Sequence, residues 1–162
     1  MPRAAAALTI ASVVWTMILF AAPAAIGHSA FGPPAAVVYA ASSRICHQRP
    51  ERSFHLKAFP LPVCARCLGL YLAGAIGAGI AWASHRRPPA RARLALALAA
   101  VPTAATWGAE VAGMAAFSNM ARALAALPLG LVAGWLCVQM LRYDSHLDGH
   151  QVDHRGSRSH SG

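Results

Sequence analysis

The 162-residue chain has few charged side chains, and very few of them are acidic. Charged residues make up 12% of the sequence, whereas a soluble domain typically carries about 25%. Only five residues are Asp or Glu, and Lys57 is the only lysine among the 14 basic residues. Because 57% of the residues are hydrophobic, an ordinary water-soluble domain is excluded. The length also leaves no room for a catalytic module beside a scaffold.

The excess of basic residues indicates a membrane protein rather than a nucleic-acid-binding protein. The formal net charge is +9, and in a chain this apolar such charges usually lie in the loops that flank membrane spans. We therefore expect the lipid bilayer as a partner and no nucleic acid.

Four apolar stretches are long enough to cross the hydrocarbon core of a bilayer, which takes about 20 helical residues. They cover approximately residues 4–26, 67–84, 94–116 and 123–141. We predict an all-α membrane protein, a bundle of about four transmembrane helices, with residues 1–143 as its membrane domain. Residues 35–43 are apolar but too short to span, and we expect them at the interface or in a re-entrant turn.

The first span has two interpretations. A basic start, an apolar core and small residues near residues 21–25 also describe a secretory signal peptide. The apolar run exceeds the usual signal core of about 7–15 residues, so we favour a retained helix.

The basic residues predict an orientation in a cell membrane. Eight lie on the side of the termini and six on the opposite side, and four arginines fall within residues 85–93. Because basic loops stay in the cytoplasm, we expect cytoplasmic termini and a polar loop, residues 44–66, on the outer face.

Small residues at four-residue spacing indicate close helix packing. The fourth span contains Gly130 and Gly134, and the second contains Gly69, Ala73 and Gly77. Such residues let helix backbones approach in a membrane. The partner helix belongs either to the same chain or to a second copy, so a homo-oligomer through Gly130 and Gly134 is one prediction.

The loop between the first two spans carries a set of metal-ligand residues. These are Cys46, His47, His55, Cys64 and Cys67. Three cysteines and one histidine make a ligand set typical of structural zinc. Since a polar loop of this length has no core of its own, a closed zinc site would order it. The sequence therefore predicts a metal site, with zinc as the expected ion. Cys137 lies in an apolar span and is predicted to be a core residue.

The same three cysteines, Cys46, Cys64 and Cys67, permit two other interpretations. A CxxC at a helix start has its thiolate stabilised by the helix dipole, which suits a membrane thiol oxidoreductase that passes electrons to a quinone. If the loop faces an oxidising compartment, a purely structural disulfide is the third alternative.

Glu110 is the only acid inside a predicted span. Inserting a carboxylate into a bilayer is costly, so it should be paired, protonated or beside water. Arg122 is the nearest partner in sequence, and Arg66 or Arg52 can approach from the loop. Asn119 lies one helical turn from Arg122, so we predict a polar cluster of Glu110, Asn119 and Arg122.

Residues 144–162 form a His-rich polar tail. Its Gly, Ser, Asp and His content cannot build a core, and we predict that it is disordered.

Two sequence strings resemble a known family. CHQRPERSF covers residues 46–54, and PVCARCLGLY covers residues 62–71 at the entry to a span. This pattern resembles a family of small predicted integral membrane proteins, classed only as a domain of unknown function. The resemblance extends over about residues 46–134 and includes the step from Asn119 to Arg122. It implies a membrane protein with one Cys/His motif and brings no activity. Many relatives have Asp-Gly in the third span, where this chain has Trp107 and Gly108.

Overall fold

The computed structural model describes residues 3–26, 30–56, 58–84 and 91–158, with side chains up to residue 143. The described part of the chain contains five α-helices, one short 3-10 helix and a two-stranded hairpin. The helices are α1 Arg3–Ala25, α2 Gly32–Ser42, α3 Ala65–Ala83, α4 Ala92–Val111 and α5 Asn119–Arg158. The 3-10 helix is Pro50–Arg52, and the antiparallel strands are β1 His55–Leu56 and β2 Phe59–Pro60.

Four of the helical segments are long and apolar enough to cross a membrane, which confirms the predicted fold class. They are Arg3–Ala25, Ala65–Ala83, Ala92–Val111 and Asn119–Tyr143. The third ends earlier than the predicted boundary at residue 116. The chain leaves the helix at Gly113, whose φ of 68° is a left-handed conformation that glycine adopts readily.

α5 differs from expectation at its C-terminal end. Its backbone is helical to Arg158, beyond the membrane span, whereas the composition predicts a disordered tail from residue 144. The side chains of that tail, including its histidines, lie outside the described residues. Disorder of the tail therefore stays a prediction.

α3 and α5 pack closely along their glycines. A Cβ atom added to Gly77 would collide with the carbonyl of Leu131, and one added to Gly134 would collide with the carbonyl of Gly74. Gly69 and Gly130 are equally confined against the facing helix. The predicted small-residue packing thus occurs within the chain, and self-association stays a prediction.

α1 packs on the outer side of this helix pair. The Trp15 and Tyr71 rings meet edge to face with centroids 6.3 Å apart, and the indole N–H of Trp82 donates to Thr9 Oγ1 at 2.9 Å. Leu19 is completely buried. The first span is therefore an integral part of the bundle in this structure.

The stretch predicted to be too short to span is α2. Its helix begins with Pro33 in the first turn, a position that tolerates the missing N–H of proline. It packs against α1 and leads directly into the polar loop.

The structure corrects the prediction for Cys137. Its side chain is exposed on α5 rather than buried in a core. In an Ala-rich bundle, apolar character alone does not distinguish a residue facing other helices from one facing lipid.

Candidate metal centre and polar cluster

Hydrogen bonds fix the segment that follows α2 to that helix and to the residues that precede α3. The N–H of Cys46 donates to Ser42 at 2.9 Å, which continues the last turn of α2. Gln48 then adopts a left-handed φ of 46°. Its side-chain amide donates to the carbonyls of Tyr39 at 2.6 Å and Pro62 at 2.8 Å. This one amide joins α2 to the segment that leads into α3.

The hairpin is fastened to the same framework. The Tyr39 hydroxyl donates to the Pro60 carbonyl at 2.5 Å, and the Leu61 N–H donates to Phe54 at 2.7 Å. Leu61 and Val63 are 4% and 0% exposed and pack in one cluster with Leu19 of α1. The loop therefore has a small apolar core, which corrects the expectation that a loop of this length has none.

The three cysteines of the loop and of the start of α3 converge. The Sγ atoms of Cys46, Cys64 and Cys67 all lie within 4.8 Å of one another. Cys46 is buried, and the other two are half-buried. The backbone N–H of Cys64 donates to Cys46 Sγ at 3.2 Å, so the loop sulfur is held at the N-terminus of α3.

The two predicted imidazole ligands are placed differently. Among the described residues, the convergent group contains three sulfurs and no imidazole nitrogen. His47 is exposed but lines the cavity beside the cysteines, whereas His55 lies in β1, exposed and outside that lining. His47 is therefore the nearer candidate for a fourth ligand, and membership of either histidine stays a prediction.

The surroundings of Cys64 favour its thiolate. Hydrogen bonding from the Cys67 side chain, assisted by Cys46 and the backbone of α3, lowers the pKa of Cys64 to about 5. A thiolate is the form that binds metals and also the form that attacks disulfides.

Directly beside the cysteines lies a cluster of buried charges. Glu110, whose side chain is 5% exposed, accepts from Arg122 Nε at 2.7 Å and from Arg66 Nη2 at 3.1 Å. Glu110 sits one residue before the end of α4, close to the mouth of the bundle rather than at mid-membrane. Of the two loop arginines that the sequence offered as partners, Arg66 makes the contact, and Arg52 makes no hydrogen bond to Glu110.

The polar cluster is continuous with the loop. Arg122 Nη1 donates to Asn119 Oδ1 at 2.8 Å, and Asn119 Nδ2 donates to the carbonyl of buried Ser53 at 3.0 Å. The predicted grouping of Glu110, Asn119 and Arg122 is thus present in the structure. It links α4, α5 and the loop into one polar assembly.

A cavity of roughly 370 Å³ opens above both groups of residues. Its walls include the three cysteines, His47 and Trp107, and four arginines, which are Arg49, Arg52, Arg66 and Arg122. The cysteines and the arginines therefore share one solvent-accessible site.

Two residues that shape this site escaped the sequence analysis. Gln48 and Tyr39 act through backbone carbonyls distant in sequence, and neither belongs to a ligand or catalytic motif. The only signal was that Gln48 directly follows the Cys-His pair.

Comparison with known proteins identifies the family. The family model "Predicted membrane protein (DUF2085)" matches residues 46–136, which is more than half of the chain. The chain therefore belongs to this family of membrane proteins of unknown function, as the resemblance of its motifs implied. The matched region contains all three convergent cysteines and the whole polar cluster.

Two relatives match the chain, and each is described only as an uncharacterized protein. A protein of Methanocaldococcus jannaschii is 48% identical over 40 residues, which are 25% of this chain and 26% of that protein. A protein of Methanothermobacter thermautotrophicus is 31% identical over 87 residues, which are 54% of this chain and 78% of that protein. No solved structure matches the chain.

Proposed function

We propose that this multi-pass membrane protein binds a zinc ion through the thiolates of Cys46, Cys64 and Cys67. The observation that carries the proposal is the convergence of three sulfurs from two separate segments within 4.8 Å of one another. Cys46 is 18 residues from Cys64 in sequence, so this meeting is not a consequence of helical spacing alone.

The arrangement fits a tetrahedral ion in size. Zn–S bonds of about 2.3 Å at tetrahedral angles separate the sulfurs by roughly 3.8 Å. The observed limit of 4.8 Å requires only small side-chain rotations to reach that separation. The N–H of Cys64 that reaches Cys46 Sγ would continue to stabilise a metal-bound thiolate as an outer hydrogen bond.

Three protein ligands leave the fourth position of the ion open to another group. His47 lines the cavity beside the sulfurs and is the protein group best placed to close the site. A closed site would be structural, whereas a site whose fourth ligand comes from solution would sense or bind that ligand. We place this loop on the outer face of the membrane, as the distribution of arginines predicts.

The test is a metal measurement on the intact chain in detergent, purified without chelator. We expect about one equivalent of zinc, held against a competing micromolar chelator. Cys64→Ser should lose it. Cys137→Ser is the matched control, since Cys137 is an exposed cysteine far from the loop, and it should retain the ion.

A reduced wild-type chain that takes up no zinc when zinc is supplied would overturn the proposal. A tag-accessibility map of the loop and both termini tests the orientation separately. A loop that is labelled only from the cytoplasmic side would contradict the outer placement.

A second function is favoured by the position of Cys64 and Cys67 at the start of α3, with their sulfurs within 4.8 Å of each other and of Cys46 Sγ. In a thiol oxidoreductase, two of the three cysteines would form a disulfide and release two electrons and two protons. A membrane quinone would take up both and become the quinol. Free thiols that disappear and return against a quinone, in a chain without metal, would support this function over zinc binding.

A further inference from the structure

The cavity beside the cysteines carries more positive charge than the described acids balance. Four arginines line it, and Glu110 is the only carboxylate that pairs with any of them among the described residues. Four positive charges against one negative charge leave a net excess of three positive charges among these described groups. Zinc on three thiolates would add one negative charge, which still leaves an excess of two. The site attracts anions with or without the metal.

The arginines also hold unused hydrogen-bond donors. Arg66 Nε is buried and has no hydrogen-bond partner within the described residues, although Nη2 of the same guanidinium reaches Glu110 and Thr106. A buried N–H of this kind costs free energy unless a ligand or water accepts from it. Within the same described part, the guanidinium groups of Arg49 and Arg52 pair with no carboxylate.

We propose that this cavity binds an oxyanion group, a carboxylate or a phosphate, against Arg49, Arg52 and Arg66. Guanidinium groups match the planar or tetrahedral arrangement of such oxygens and bind them through paired N–H donors. A volume of roughly 370 Å³ admits a small metabolite or the headgroup of one lipid. The site goes beyond the proposed zinc site, because the arginines define it without the metal.

The anion site lies beside the three cysteine sulfurs, and this position matters for a metal bound there. The cysteines line the same cavity, so a bound oxyanion lies next to the open face of the cysteine cluster. If zinc is present, one oxygen of the anion can occupy the fourth coordination position in place of His47. This one consequence rests on the proposed function, whereas the anion site does not.

The experiment measures binding of radiolabelled inorganic phosphate by equilibrium dialysis, on the full chain in a detergent with an uncharged headgroup. We expect saturable binding that is weakened about tenfold or more in Arg52→Gln and in Arg49→Gln, since each removes a charge-assisted hydrogen bond. Arg44→Gln is the matched control, because Arg44 is an exposed arginine of the same loop outside the cavity lining, and it should bind as wild type.

Nanodiscs distinguish the two sources of the oxyanion. Phosphate binding that persists in phosphatidylcholine discs but is competed away in phosphatidylglycerol discs identifies a lipid headgroup as the occupant. Binding that is equal in both identifies a soluble anion. Either result supports the site.

Absence of saturable binding in detergent and in both discs would overturn the inference, as would equal affinity in wild type and the double variant Arg49→Gln/Arg52→Gln. Dialysis of metal-free and zinc-loaded samples keeps the two proposals apart. Phosphate binding without zinc uptake refutes only the zinc site, and zinc uptake without phosphate binding refutes only the anion site.

Discussion

Helices α3 and α4 have nearly the same hydropathy and yet lie in very different surroundings. Both are apolar enough to cross a membrane, but seven residues of α3 are buried inside the protein, whereas Ala99 alone is buried among the residues of α4. Hydropathy identifies both as spans. It does not identify which of them forms the centre of the bundle.

The cause of the difference is the way each helix contacts α5. α3 presents Gly69 and Gly77 to the α5 backbone, and no side chain separates the two helices there. α4 has a single glycine, Gly108, and a Cβ atom placed on it would meet nothing within 4 Å. α4 is instead held by polar side chains. The Thr103 hydroxyl donates to the Ala125 carbonyl at 2.8 Å, and Arg122 of α5 donates to Glu110.

The comparison shows two means of holding helices together where lipid removes the hydrophobic driving force. Close backbone packing and polar contacts replace burial of apolar area. α3 and α5 use the first, and α4 uses the second. The polar contacts of α4 include arginines that line the cavity, so the position of α4 is coupled to the candidate site. The glycine contacts between α3 and α5 lie instead along the membrane-spanning part of those two helices.

The largest loss of stability is expected from removing the charge of Glu110, which holds α4 against Arg66 and Arg122. Glu110→Gln leaves Arg66 and Arg122, whose side chains are 16% and 11% exposed, without their carboxylate. Breaking a buried pair typically costs about 3 to 5 kcal/mol, and we expect the lower end because Arg122 keeps Asn119. Thermal unfolding in a mild detergent measures the loss.

Glu51→Gln is the matched control for this variant, since Glu51 is an exposed acid in the 3-10 helix, and it should change stability little. The double variant Glu110→Gln/Arg66→Gln should recover part of the loss, because one of the orphaned cations is removed as well. A Glu110→Gln chain as stable as wild type would show that α4 is held by something other than this charge cluster.

An intermediate effect is expected at the glycine contact between α3 and α5. Gly77→Ala places a methyl group against the Leu131 carbonyl, so the helices must separate, and overpacking of this kind costs about 1 to 3 kcal/mol. Gly79→Ala on the same helix meets nothing within 4 Å. It should be neutral or stabilise by up to about 1 kcal/mol, because alanine is the better helix former.

A loss of stability in Gly77→Ala with no loss in Gly79→Ala would confirm that backbone proximity, and not glycine content, joins this pair. Equal effects of the two substitutions on the unfolding temperature would contradict it. Zinc content of the Gly77→Ala chain should stay at the wild-type level, because Gly77 lies two to three helical turns from Cys67.

Much of the fold was predictable because the bilayer permits few solutions. In a bilayer, a run of about 20 apolar residues can satisfy its backbone hydrogen bonds only as a helix. The sequence therefore located all four spans to within a few residues of the helices in the structure. The small-residue spacing predicted the faces of α3 and α5 correctly. It could not say whether the partner was the same chain, since glycine spacing is identical in both cases.

The candidate site was less predictable because its contacts join distant segments. The cysteines and Glu110 could be recognised from the sequence, because thiols and carboxylates are rare side chains in so apolar a chain. The choice of Arg66 over Arg52, and the role of Gln48 as a tie between α2 and the α3 entry, depend on backbone geometry. Such hydrogen bonds to backbone carbonyls leave almost no mark in the sequence.

The smallest expected loss of stability comes from the Thr103 hydrogen bond, and it distinguishes this contact of α4 from the one at Glu110. Thr103→Val keeps the shape of the side chain but removes the hydroxyl that donates to Ala125 at 2.8 Å. Hydrogen bonds between membrane helices average about 0.6 kcal/mol, so the loss should be a fraction of that at Glu110. Ser12→Ala is the control, because among the described residues that hydroxyl bonds only within its own helix, to the Leu8 carbonyl. If Thr103→Val destabilised the chain as strongly as Glu110→Gln, α4 would be held along its length rather than at its charged end. The inferred coupling between the position of α4 and the cavity would then lose its support.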